Sequence, residues 1–196
     1  GLRVYLDNGG NLFGRREGKL EDLPPVVFGS HIDSVVHGGA FDGPAGVISA
    51  LEVMRVINEQ GIDTCHPLEM VIMTEEEGGR FGSGVWGSRA MVGLVSREEI
   101  FEGRDKQGIT KAEAMRSFGL DPEKVQQAKR PPGSIKAFLE LHIEQGPILE
   151  SNGKEVGIVE SIVGIRTFFV TIKGKADHAG TTPMEFRKDA LVGAGR

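Results

Sequence analysis

The chain has 196 residues, 39% of them hydrophobic, which is enough to bury a sizeable core and excludes general disorder. With 23 Lys and Arg against 28 Asp and Glu, the net charge is −5 and no long basic stretch offsets it, which argues against a nucleic-acid surface. No window approaches the roughly 20 apolar residues of a membrane span, the opening GLRVYLDNGG lacks a signal-peptide layout, and a single cysteine, Cys65, makes a cytoplasmic setting the expectation.

In chain order, Arg3-Val4-Tyr5-Leu6, the turn Asp7-Asn8-Gly9-Gly10 and Asn11-Leu12-Phe13 read as a hairpin. Pro24-Pro25 introduces Val26-Val27-Phe28, a buried-strand run that ends at Gly29-Ser30-His31. From Asp42 the spacing predicts a helix. Asp42 is placed to cap it, Pro44 sits in its first turn, Val47, Ala50, Leu51, Met54 and Ile57 share one face, and Gly61 ends it. A second apolar strand, Leu68–Met73, runs straight into Thr74-Glu75-Glu76-Glu77-Gly78-Gly79. Another helix is expected near 88–92. Residues 97–130 are polar and helix-forming, with Asp121-Pro122-Glu123 as a start signal and their charges coating a solvated face. A third strand over 135–143 carries His142 near its end, and 156–163 and 166–173 read as consecutive strands hinged at Gly164 into a second domain. A last helix is expected from Lys188 onward. The 29 glycines suit an α/β protein with many tight strand-to-helix loops.

Three strands thus deliver ionisable groups at their C-terminal ends: His31 with Asp33, then Glu75, Glu76 and Glu77, then His142 with Glu144. In open parallel sheets that edge is where ligands bind, so groups distant in sequence converge there. Imidazoles with carboxylates suit a divalent transition ion, and a carboxylate-rich set can hold two. Asp33 is placed to accept the second imidazole N–H of His31. Asp42 reads equally as a helix cap, and His37 and His66 as surface residues. Cys65 reads as a small, semi-buried side chain. The glycine-rich 78–84 stretch lacks a Walker lysine, and no serine lies on a G-x-S-x-G elbow.

The strings GSHIDSVVHGGAFDG, TEEEGGRFGSGVWGSR, ELHIEQGPILESNG and GKADHAGTTPM resemble those of the N-carbamoyl-L-amino-acid hydrolase, allantoate amidohydrolase and β-ureidopropionase family, within the larger set of dinuclear zinc aminoacylases and carboxypeptidases. The resemblance spans nearly the whole chain. It implies an α/β fold: a zinc-aminopeptidase-like three-layer αβα catalytic domain with an inserted α+β lid and dimerisation domain. Family proteins are about twice this long, so the resemblance implies an N-terminal portion. Residues 1–163 would be the first part of the catalytic domain, and 164–196 the start of the lid.

By motif, His31 resembles a ligand of one metal, Asp42 the carboxylate bridging both, Glu77 a ligand of the second metal and His142 a ligand of the first. Glu76 resembles the general base, with the register set by the E-E-G-x-R-F pattern. Gln145 resembles a substrate contact. His178 resembles a lid histidine that binds substrate and stabilises the oxyanion in a partner subunit's site. The implied cofactors are two divalent ions, Zn or else Mn, Co or Ni. The implied partners are a small anionic ureido substrate and a second copy of the chain, with neither nucleic acid nor membrane. The last ligand histidine and the lid asparagine and arginine of the family would lie beyond Arg196, so this length alone is expected to lack activity. The implied reaction is hydrolysis of the ureido C–N bond of an N-carbamoyl-L-amino acid. Allantoate is the alternative substrate, and a metal-binding domain without turnover is the alternative of another class.

Overall fold

The computed structural model describes residues 1–20 and 22–195. These fall into two compact units, Gly1–Ile148 and Leu149–Arg196. The change of domain expected at 163/164 falls fifteen residues after this division.

The first unit is built on a five-stranded mixed sheet in the order β1-β2-β4-β3-β5. β1 (Arg3–Leu6) and β2 (Leu12–Arg16) form the expected antiparallel hairpin, and β2 pairs antiparallel with β4 (Leu68–Met73). β3 (Val26–His31) runs parallel to β4 on one side and to β5 (Ala137–Leu139) on the other. Parallel β3 and β4 need a crossover, and α1 (Pro44–Glu59) supplies it.

Alternation along the strands assigns the two faces. Leu68 and Met70 of β4 lie with Val26 and Phe28 of β3 against Ala50 and Met54 of α1. Val71, Met73, Val27 and Phe13 face the other way, where Met91 of α2 (Trp86–Val92) covers them. Helix, sheet and helix therefore make three layers, as the α/β reading expects. Leu51, expected on the buried face of α1, is instead 52% exposed, because that face is narrower than the apolar spacing suggests.

Three further expectations change. The 97–130 segment is more than a solvated coat: α3 (Arg97–Phe101), α4 (Lys111–Ser117) and a 3₁₀ helix (Pro122–Ala128) enclose a core of their own. Val95, Ile100, Ala112, Met115, Val125 and Ala128 pack there with Trp86 and Ala90 of α2. The third strand shrinks to the three residues of β5, all exposed at the sheet edge. Cys65 is exposed, not semi-buried.

A helical turn, α5 (Ile148–Ser151), stands at the junction of the units. In the second unit the strands expected over 156–163 and 166–173 do not form. A strand needs a neighbour to take up its backbone N–H and C=O groups. Among the described residues these segments have none, and Ile158 and Phe169 are 93% and 100% exposed. The regular elements here are a 3₁₀ turn (Met184–Phe186) and α6 (Ala190–Ala194), capped by Asp189. The helix expected from Lys188 is thus shorter, and Arg196 lies outside the described residues. Among the described residues no helix is long and apolar enough to cross a membrane.

Candidate metal centre

Parallel pairing brings the motif residues together. Phe28 of β3 is in register with Leu139 of β5, and His31 and His142 each follow three residues later. Their rings stack with centroids 5.8 Å apart. His31 is also in register with Met73, the last residue of β4, so the glutamates just beyond Met73 arrive at the same sheet edge.

His31 is 2% exposed, and its Nδ1 lies 2.9 Å from the backbone oxygen of Asp33. A carbonyl only accepts, so Nδ1 carries the proton and Nε2 presents a lone pair. At Asp33 it is the carbonyl, not the carboxylate, that takes the second imidazole N–H. The carboxylate is 3.6 Å from Nδ1 and instead accepts the backbone N–H groups of Glu76 at 3.1 Å and Glu77 at 2.9 Å. His142 is oriented in the same way, with Nδ1 2.8 Å from the Ile143 oxygen.

Asp42 does not cap α1. The capping position is Gly43, at φ 80°, and no side chain bonds to the helix N-terminus there. Gly43 is required, because a Cβ would lie 2.5 Å from the His31 ring and the His31 carbonyl. The chain passes so close to His31 that the Asp42 carboxylate is carried past the helix end into the ligand cluster. Its Oδ2 accepts Gln145 Nε2 at 2.7 Å. Its Oδ1 is buried without a hydrogen-bond partner, although His142 Nε2 is only 3.2 Å away. With the proton on Nδ1, that contact sets a lone pair against a carboxylate oxygen with no hydrogen between them. A divalent cation placed there would satisfy both.

Two sets of ligand atoms lie within 4.8 Å of one another: His31, Asp42 and His142, and His31, Glu76 and Glu77. Glu76 Oε2 is 3.7 Å from His31 Nε2. Burial raises the pKa of Glu76, opposed by His31 and reinforced by Asp33 and Glu140. Burial also raises that of Glu77, reinforced by the Asp42 carboxylate. Glu75 turns away: its Oε1 accepts the N–H groups of Arg80 at 3.1 Å and Phe81 at 3.0 Å. Glu75, Val85 and Gln145 all have positive φ, a strained state that for a β-branched valine is rare outside functional sites.

His178 belongs to the second unit, and its environment is local. Its Nδ1 accepts the N–H groups of Gly180 and Thr181, each at 3.1 Å, which leaves the proton on Nε2. Asp177 pairs with Lys175 at 3.0 Å and leaves the imidazole alone.

The model of peptidase family M20/M25/M40 matches residues 27–195. The chain belongs to this family. It is 52% identical over 194 residues to an N-carbamoyl-L-amino acid amidohydrolase of Geobacillus stearothermophilus, covering 99% of this chain and 47% of that protein. It is 42% identical to the allantoate amidohydrolase of Bacillus subtilis (strain 168), covering 100% and 47%. A crystal structure of a hydantoinase/carbamoylase family amidase from Burkholderia multivorans superposes with a TM-score of 0.76 at 39% identity, covering 99% of this chain and 46% of that one. The chain thus spans about half the length of the curated relatives it matches. Members of the family are metal-dependent, and the donor set described here is of the kind a divalent ion takes.

Three contributors lie outside the expected site residues. Glu140 accepts the buried Ser30 hydroxyl at 2.6 Å, and its position two residues before His142 was a signal. Lys111, 4% exposed, stacks over Trp86 at 3.8 Å and pairs with Glu99 at 3.1 Å behind the glutamate loop. Asn11, fully buried, accepts the Thr74 N–H at the start of the glutamate loop at 3.2 Å and carries no local sequence signal.

Proposed function

We propose that the polypeptide carrying this chain is a metal-dependent amidohydrolase. It cleaves the carbamoyl C–N bond of an N-carbamoyl-L-amino acid, a small anionic substrate, and releases ammonia, carbon dioxide and the amino acid. The observation that carries this reading is the clustering of His31, Asp42 and His142, with the unpartnered Asp42 Oδ1 facing His142 and Glu76 beside His31. His31, Asp42 and His142 would hold one divalent ion, and Asp42 with Glu77 would reach a second, Zn or else Mn, Co or Ni. Bound there, such ions supply a water acidic near neutral pH and polarisation of the ureido carbonyl.

The remaining work falls to the protein. Glu76, its pKa raised by burial, takes the proton of the attacking water and returns it to the leaving nitrogen. Asp33 holds Glu76 and Glu77 by their backbone and His31 by its ring. Gln145 exchanges its bond to Asp42 for one to the substrate. His178, with its proton on Nε2, donates to the developing oxyanion. Residues 164–196 open a lid domain, and a homodimer formed through it brings His178 to the partner's site. A second reading, hydrolysis of allantoate, is favoured by the 42% identity to the Bacillus subtilis protein and uses the same groups on the same bond type. A metal-binding domain without turnover would need the ligands but would leave Glu76 without a task.

The test is ammonia release from N-carbamoyl amino acids, allantoate and dipeptides, with metal analysis. Glu76→Ala should lose about 10²–10⁴-fold in turnover and keep its metal, whereas Glu77→Ala should lose metal. The reverse pattern, or turnover of dipeptides alone, refutes the proposal.

A further inference from the structure

A second polar network centres on Asn11, outside the ligand cluster. Asn11 is fully buried in the turn between β1 and β2. Its Nδ2 donates to Asp7 Oδ2 at 2.8 Å and to the Gly87 oxygen at 3.1 Å, and its Oδ1 accepts the Thr74 N–H at 3.2 Å. The same turn receives the Thr74 hydroxyl on the Gly10 oxygen at 2.6 Å and the Trp86 indole N–H on the Gly9 oxygen at 2.9 Å. Thr74 follows the last residue of β4, and Trp86 and Gly87 are the first residues of α2. The turn therefore grips both ends of one loop, and that loop carries Glu76 and Glu77.

Inside the loop the backbone closes on itself, with Val85 N–H on the Glu76 oxygen, Trp86 N–H on the Glu75 oxygen and Gly87 N–H on the Thr74 oxygen. Glu75 and Val85 both sit at φ 52°. Strained residues persist only where their surroundings over-determine them, and here the β1–β2 turn holds the ends while Asp33 holds the middle. At Gly87 a Cβ would stand 2.1 Å from Asn11 Oδ1, so the helix start and the Asn11 amide are fitted to each other. A hairpin turn by itself needs no desolvated amide bonded to a distant loop.

We infer that Asn11 is a positioning residue, spacing Thr74 from Gly87 so that the Glu76 and Glu77 carboxylates are presented to His31 and Asp42. The task of those carboxylates rests on the function proposed above. The test compares Asn11→Asp with the exchanged pair Asp7→Asn/Asn11→Asp in the full polypeptide that carries this chain. The single variant opposes two carboxylates inside the turn and is expected to melt well below the parent. The exchanged pair restores a donor–acceptor bond between positions 7 and 11 and keeps an acceptor for Thr74, but leaves the Gly87 oxygen without its donor.

The exchanged pair should regain most of the lost melting temperature. Its Trp86 and Gly87 amides should still exchange hydrogen about tenfold faster, and Mn²⁺ alone should bind about 10–100-fold more weakly by calorimetry, the range for loss of a supporting contact. Parent-like exchange and Mn²⁺ affinity in the exchanged pair would overturn the inference and leave Asn11 as a turn residue. If the parent itself binds no Mn²⁺, the metal reading fails, and exchange at Trp86 and Gly87 alone decides for or against the clamp.

Discussion

Replacing Asp42 by asparagine separates the two roles its sequence position suggests. No cap is lost, because α1 carries no side-chain cap bond. Asparagine also keeps an oxygen for Gln145 Nε2, now at 2.7 Å from Oδ2. What disappears is a buried negative charge whose Oδ1 has no hydrogen-bond partner and which faces the Glu77 carboxyl. An unsatisfied buried group costs about 1–3 kcal/mol, so the metal-free variant should be more stable by about 1–2 kcal/mol. At roughly 2–4 °C per kcal/mol for a chain of this size, its Tm should rise by about 2–8 °C. On the two-ion centre proposed above, loss of the bridging charge should weaken metal binding by more than the roughly 10–100-fold typical of a supporting group. The assay is thermal melting in chelator, with calorimetric titration of Mn²⁺ or Zn²⁺. An asparagine variant that melts several degrees lower without metal would return Asp42 to a structural role. One that binds metal as tightly as the parent would refute its place in the centre.

Gly43→Ala puts a methyl group 2.5 Å from the His31 ring at a residue with φ 80°. It should cost about 2–4 kcal/mol by overpacking and left-handed strain, read by denaturant unfolding, and a cost below 1 kcal/mol would show that His31 has room to move. Glu99 tests the support behind the glutamate loop: burial pushes its pKa up, but the bonds from Ser83, Lys111 and Arg89 outweigh this and hold it below 4.5. A depressed carboxyl stabilises the fold above its unfolded pKa and loses that contribution as pH falls through its folded value. Glu99→Gln, which leaves Lys111 buried without its counter-charge, should therefore cost about 3 kcal/mol at pH 7. The difference from the parent should shrink below pH 4.5, and a difference independent of pH would remove the ion pair from the account.

The sheet and its ligand-bearing edge were legible because each strand announces itself locally. Val26-Val27-Phe28 and Leu68–Met73 are apolar runs of strand length, and both form where expected. The residues that cluster in the first unit, His31, Asp42, Glu76, Glu77, His142 and Gln145, all lay in motifs that a reading of the chain singles out. The segments 156–163 and 166–173 carry an equally good local pattern and form no strand, because β propensity describes a surface waiting for a neighbour and these segments have none among the described residues.

Composition and periodicity by themselves determined the class of fold, the two central strands, the crossover helix and the set of ionisable groups at one sheet edge. Tertiary structure alone decided which atom of each group is used. It turned the Asp33 carbonyl, not its carboxylate, to His31, freed Asp42 from the helix end, turned Glu75 onto loop amides and gave the 97–130 segment a core of its own. The reason is one of range. Burial periodicity is a property of neighbours along the chain, whereas a hydrogen-bond partner is chosen through space. Asn11 and Gly87, 76 residues apart, acquire their relation only when β4 and α2 have been brought beside the first hairpin.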